Sequence, residues 1–102
     1  CMPNSVDTID SSNGQEDHVS MGAAAAIKTW AVAGDVERIL SIELFNAAQA
    51  LEFRRPLRSS KAIEMLHAAF RKQVPFVQDD VVMHDLMERS LVFVGSSDLL
   101  LV

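Results

Sequence analysis

Three consecutive ionisable residues, Glu16, Asp17 and His18, stand between a polar opening stretch and an apolar, alanine-rich run. Near a helix N-terminus the dipole favours carboxylates, so the triplet alone reads as Asp17 capping a helix with Glu16 and His18 in solvent. A metal site would need ligands sharing a face, such as two histidines four residues apart. His18, His67 and His84 instead fall on separate segments, and Cys1 is the single cysteine, so no metal centre and no intrachain disulfide are expected. No nucleophile-elbow motif and no glycine-rich phosphate loop occurs in the chain. His67 and the pair His84-Asp85 read most simply as helix-surface or helix-start residues.

The elements that would position the triplet are helical. Residues 1–15 have loop composition, with Val6 and Ile9 as apolar anchor points. A first helix is expected from about Asp17 to Ala33, ended by Gly34. Asp35 would cap a second, from Val36 to about Arg54, with Val36, Ile39, Leu40, Leu44, Ala47, Ala48 and Leu51 at helical spacing. Ile42, Phe45 and Phe53 lie off that stripe, and a helix apolar on two sides wants partners on two sides. Pro56 breaks the chain, and Ser59 or Ser60 caps a third helix to about Gln73 with Ile63, Leu66 and Phe70 on one face. Pro75 marks another break, after which Asp79 or Asp80 caps a fourth helix carrying Val82, Leu86, Arg89 and Phe93. Gly95-Ser96-Ser97 stops it, and the apolar tail Leu99–Val102 follows.

Composition agrees with this all-α reading. The 102 residues suffice for one small domain; they are 49% hydrophobic and 23% charged, with four Gly and three Pro. A net charge of −5 argues against a nucleic-acid partner, which would demand excess Lys and Arg. The one basic cluster, Arg54, Arg55 and Arg58 around Pro56, reads as a solvated or ion-paired turn. No signal peptide and no apolar run of about 20 residues is visible, so no membrane span and a cytoplasmic location are expected.

The run from Ser5 to Gly22, with Gln15-Glu16-Asp17-His18-Val19-Ser20-Met21-Gly22 at its centre, closely resembles the histidine ammonia-lyase pattern. The similarity continues through Leu40–Leu44, Ala47-Ala48-Gln49 and Glu52–Leu57, and more weakly through Ser59-Ser60 and Val74-Pro75-Phe76 to Asp79 and Asp85. Two departures stand near the end: Asp80 replaces a frequent arginine, and the proline usual near His84 is missing.

The resemblance implies the C-terminal portion of a mainly helical lyase fold, a bundle of about four helices. Residues 1–16 would be an active-site loop segment and 17–102 a C-terminal helical region of a larger enzyme. Family members are homotetramers that release ammonia from an amino acid, here L-histidine to trans-urocanate. Their electrophile is methylidene-imidazolone (MIO), formed from an internal Ala-Ser-Gly that does not occur in this chain. The family's tyrosine base and carboxylate-binding arginine also belong to upstream sequence, so the chain alone is expected to be inactive. One active-site residue carries over. At the position of Glu16, histidine-specific members place a glutamate facing the substrate imidazole, where phenylalanine and tyrosine lyases place glutamine. A carboxylate can accept the imidazole N–H and stabilise imidazolium character, which gives Glu16 an orienting role with possible acid–base help. Two other readings remain: a related MIO-dependent lyase or aminomutase, and a small non-catalytic helical module that binds a partner through its apolar faces.

Overall fold

A computed structural model describes residues 12–15 and 20–96. After a short 3₁₀ turn, Ser12–Gly14, three helices follow: α1 (Gly22–Phe53), α2 (Lys61–Gln73) and α3 (His84–Gly95), with no strand among the described residues. The all-α expectation holds, with three helices in place of about four. Contacts divide the chain into two units, Cys1–Asp35 and Val36–Val102.

The missing break is at Gly34, which lies inside α1 rather than at the end of a shorter helix. A helical glycine costs about 1 kcal/mol relative to alanine, whereas stopping and renucleating a helix costs more, so a lone glycine with no proline after it does not end the run. Asp35 is correspondingly a helix-interior residue and caps nothing. The start also lies later than expected: Ser20 and Met21 are non-helical, and α1 begins at Gly22.

A turn at Arg54–Pro56, with a cis Arg55–Pro56 bond, leads to α2. Ser60 is its N-cap, as expected, its hydroxyl accepting the Ile63 N–H at 3.4 Å. Arg71 and Lys72 in the last turn complement the dipole. The segment from Val74 to Met83 is non-helical, so α3 starts at His84 with Met83 as a cap that offers no side chain, and not at Asp79 or Asp80. The backbone of that segment is already engaged. Val77 N–H and C=O pair with the Gln49 amide, and the Val74 and Pro75 carbonyls accept from Arg71.

Within Val36–Val102 the core is Phe45 and Ala48 of α1, Phe70 of α2, Val74, and Phe93 of α3. Phe70 and Phe93 meet edge to face, centroids 5.3 Å apart at 83°, a favoured aromatic geometry. Small residues let α1 and α3 approach: the buried Ser90 hydroxyl donates to the Ser41 carbonyl at 2.7 Å. The buried face of α1 is thus Ser41–Phe45–Ala48, led by a phenylalanine that lies off the expected stripe. Much of that stripe is uncovered, with Val36, Ile39 and Leu40 all exposed.

Candidate functional site

Glu16, Asp17 and His18 lie outside the described residues, so the candidate site is characterised through its flanks. On the upstream side Ser12, Asn13 and Gly14 have φ of 48°, 56° and 77°. Three successive left-handed residues are costly for all but glycine, with asparagine the next most tolerant, and they reverse the chain tightly. The turn is closed by Gln15 N–H donating to the Ser12 carbonyl at 3.2 Å. On the downstream side the Ser20 hydroxyl accepts the Gly22 N–H at 3.5 Å where α1 begins. The loop Ser12–Gln15 and the start of α1 therefore bracket Glu16 with a tight turn on one side and helix-terminal donors on the other.

A second polar constellation escaped the sequence reading. It joins the C-terminal end of α1 to α2. Glu52 Oε1 stands 3.3 Å from His67 Nε2 and 3.4 Å from Arg71 Nε. These are ion-pair contacts without hydrogen-bond alignment, since neither nitrogen finds an aligned acceptor. Glu52 Oε2 lies 3.7 Å from Arg55 Nε, and Arg55 reaches Glu64 through Nη1 at 2.9 Å. His67, expected on the surface, is buried at 7% exposure. Its Nδ1 faces Arg55 Nη2 at 3.3 Å; a guanidinium can only donate, which assigns Nδ1 as acceptor and places the ring proton on Nε2, toward Glu52.

Electrostatics follow the geometry. The Ser59 N–H, donating to Glu64 at 2.9 Å, and then Arg55 hold the Glu64 carboxyl below its ordinary value. Hydrogen bonding to Glu64 raises Arg55 in turn. Burial draws Arg71 below its ordinary value against the pull of Glu52. Arg71 also donates to Gln49 Oε1 at 3.3 Å and lies 5.9 and 5.8 Å from the rings of Phe70 and Phe76, within cation–π range. The expectation of an ion-paired turn holds for Arg55. The signal that could have revealed the cluster is spacing: Glu52 and Arg55 are three apart, and Glu64, His67 and Arg71 recur at three and four, which stacks each set on one helix face.

This cluster is structural in what it can do. Every charge in it is neutralised within the cluster, and it opens on no cavity that would admit a substrate beside its polar atoms. Larger concavities lie elsewhere: an open cleft of about 420 Å³ between the Pro75–Val82 segment and α3, and one of about 240 Å³ between Arg38 and His84. Among the described residues no group of three potential metal ligands converges, and no helix is long and apolar enough to cross a membrane.

The family model for aromatic amino acid lyases matches residues 1–72, well over half of the chain. The chain belongs to the aromatic amino acid lyase family. It is 46% identical over 101 residues to a histidine ammonia-lyase of Anaeromyxobacter sp. (strain K), covering 97% of this chain and 20% of that protein. A histidine ammonia-lyase of Sorangium cellulosum (strain So ce56) is 49% identical over 80 residues, 78% of this chain and 16% of that protein. The fold is similar to the crystal structure of histidine ammonia-lyase from Trypanosoma cruzi, with a TM-score of 0.88 and 36% identity over 97% of this chain and 20% of that one. The chain spans about a fifth of the length of the curated relatives it matches. It is thus similar to one part of a histidine ammonia-lyase, arranged as that part is arranged in a solved enzyme.

Proposed function

We propose that this chain is the C-terminal part of a histidine ammonia-lyase, which converts L-histidine to trans-urocanate and ammonia. The observation that carries the reading is the run of relatives named histidine ammonia-lyase, 41–46% identical over 96–97% of the chain. In that reading residues 1–16 form an active-site loop segment, 17–102 the helical region behind it, and the whole enzyme is a cytoplasmic homotetramer. The MIO group supplies the electrophile in such lyases. Its Ala-Ser-Gly source is not among these 102 residues, so nothing in this chain can hold or form it.

What this chain contributes is recognition. Glu16, the one residue carried over to the substrate, would accept the imidazole N–H and stabilise positive character on the ring. A charge-assisted hydrogen bond of this kind is roughly twice as strong as a neutral one. A glutamine there could still accept the bond, yet it would not stabilise charge that develops during elimination. A carboxylate at Glu16 favours histidine over the related aromatic substrates. The test is direct: the longer protein carrying this sequence should release urocanate from L-histidine, followed by absorbance, while the 102-residue chain alone should release none. A longer protein active on phenylalanine or tyrosine and inert toward histidine would overturn the reading.

A further inference from the structure

Helix α1 carries two apolar faces, and the helices of Val36–Val102 cover only one. Ser41, Phe45 and Ala48 face the core. Leu40, Leu44, Ala47 and Leu51 follow one another at intervals of four, three and four along an adjacent face. Leu40 is 48% exposed and Ala47 is exposed, while Leu44 and Leu51 are half-buried. Against the lower end of this row stand Ile63, 44% exposed, and Leu66 of α2. Together they line a groove of about 160 Å³ between α1 and α2 whose walls are apolar apart from the edge of His67. His67 spends both ring nitrogens on Glu52 and Arg55, so the groove offers an occupant no unpaired polar group.

We infer that this groove seats an apolar helix from the remainder of the lyase polypeptide, in the same subunit. The inference rests on the proposed reading as part of a longer lyase. Three observations support that occupant. The chain spans a fifth of its relatives, and 97% of it superposes on a solved chain of which it makes up 20%, so the same α1–α2 pair exists within a far longer polypeptide. A wholly apolar groove without a polar rim is what a domain core cut in half presents; transient partners meet mixed surfaces. The fully buried apolar core beside it comprises only Phe45, Ala48, Phe70, Val74 and Phe93. A unit with so small a core needs further apolar burial to fold, before any subunits assemble. The row from Leu40 to Leu51 spans 11 residues, about 16 Å of helix, which suits an amphipathic helix laid along it with anchors at three- and four-residue intervals.

The experiment reads protection of a thiol placed in the groove. In a Cys1→Ser background, Ala47→Cys puts a sulfhydryl at an exposed position of the 102-residue chain, and the same substitution is made in the longer lyase after removal of its other reactive cysteines. Maleimide labelling should be at least about tenfold slower in the longer lyase than in the chain alone. That protection should persist when the lyase is diluted until its subunits separate. Equal labelling rates overturn the inference, as does a gene that encodes nothing beyond these residues. Protection lost on dilution assigns the seat to a neighbouring subunit, and protection of the chain alone that rises with its concentration assigns it to a second copy; either overturns the stated occupant. Ala47→Ser with labelling at an exposed control, Lys61→Cys, separates local protection from misfolding. If the longer protein proves inactive on histidine while Ala47→Cys is protected, the proposed activity falls and the docking stands.

Discussion

Replacing Glu52 by glutamine removes one charge from the centre of the α1–α2 cluster while keeping the shape of the side chain. The three neighbours respond differently. Arg55 keeps Glu64 at 2.9 Å, so it loses little. His67 keeps an acceptor for Nε2 in the amide oxygen. Arg71 bears the loss: its side chain is 12% exposed, and Glu52 is the carboxylate within 4 Å of it. Exposed ion pairs contribute about 0.2–1 kcal/mol, whereas removing one partner of a fully buried pair costs about 3–5. With Glu52 itself 28% exposed, the expected cost lies between these, about 2 kcal/mol. In urea, where small proteins have m-values of about 1–3 kcal/mol/M, that lowers the unfolding midpoint by about 1 M. Circular dichroism of the 102-residue chain against urea reads the shift. The pairing itself is isolated by a cycle with Arg71→Met. Arg71→Met should cost at least about 1 kcal/mol less in the Glu52→Gln background than in the parent, because the charge it removes there is already uncompensated. A midpoint that barely moves, or two substitutions that add, would refute the assignment of Glu52 as Arg71's counter-charge.

Two further substitutions examine other parts of the structure. Gly34→Ala should stabilise the chain by about 0.5–1 kcal/mol, since Gly34 is helical and an added Cβ meets nothing within 4 Å; destabilisation in thermal melts would restore a helix end at that glycine. Glu64 has a folded value below its ordinary 4.5, so its contribution to stability is present above pH 4.5 and is lost as pH falls through the depressed value. Glu64→Gln should therefore flatten the acid limb of stability against pH, measured by urea midpoints on both sides of pH 4.5; an unchanged slope would show that the Ser59 and Arg55 contacts do not hold the carboxylate.

Helix type and the caps and breaks around α2 were legible because they are written locally: Ser60 before an amphipathic run, Pro56 and Pro75 on either side. What failed was non-local. Gly34-Asp35 resembles a stop followed by a cap, but nothing in neighbouring sequence reveals that helix continuation wins over a single glycine's cost. Asp79 and Asp80 resemble caps for α3. Their segment is extended because Gln49 and Arg71, roughly a helix away in sequence, hold the backbone at Val74, Pro75 and Val77. The stripe from Val36 to Leu51 was correct as periodicity and misleading as a core, since the face that packs here is led by Phe45. His67 was misjudged for a related reason, because a histidine on an apolar face looks solvated until the carboxylate and guanidinium that enclose it are placed in space. The candidate site was legible only through the resemblance carried by Gln15–Gly22; Glu16 has no partner in neighbouring sequence that would single it out.

The central claim is that Glu16 reads the imidazole of histidine, and its most direct test is Glu16→Gln in the longer lyase. Steady-state kinetics on L-histidine should show kcat reduced on the order of a hundredfold or more, the range seen when one preorganised transition-state contact is removed. KM should change much less, because the amide keeps the shape and one acceptor. The MIO absorbance and the circular dichroism of the variant should match the parent. Near-normal kcat in the presence of intact MIO would contradict the claim and leave Glu16 as a carboxylate at the start of a helix.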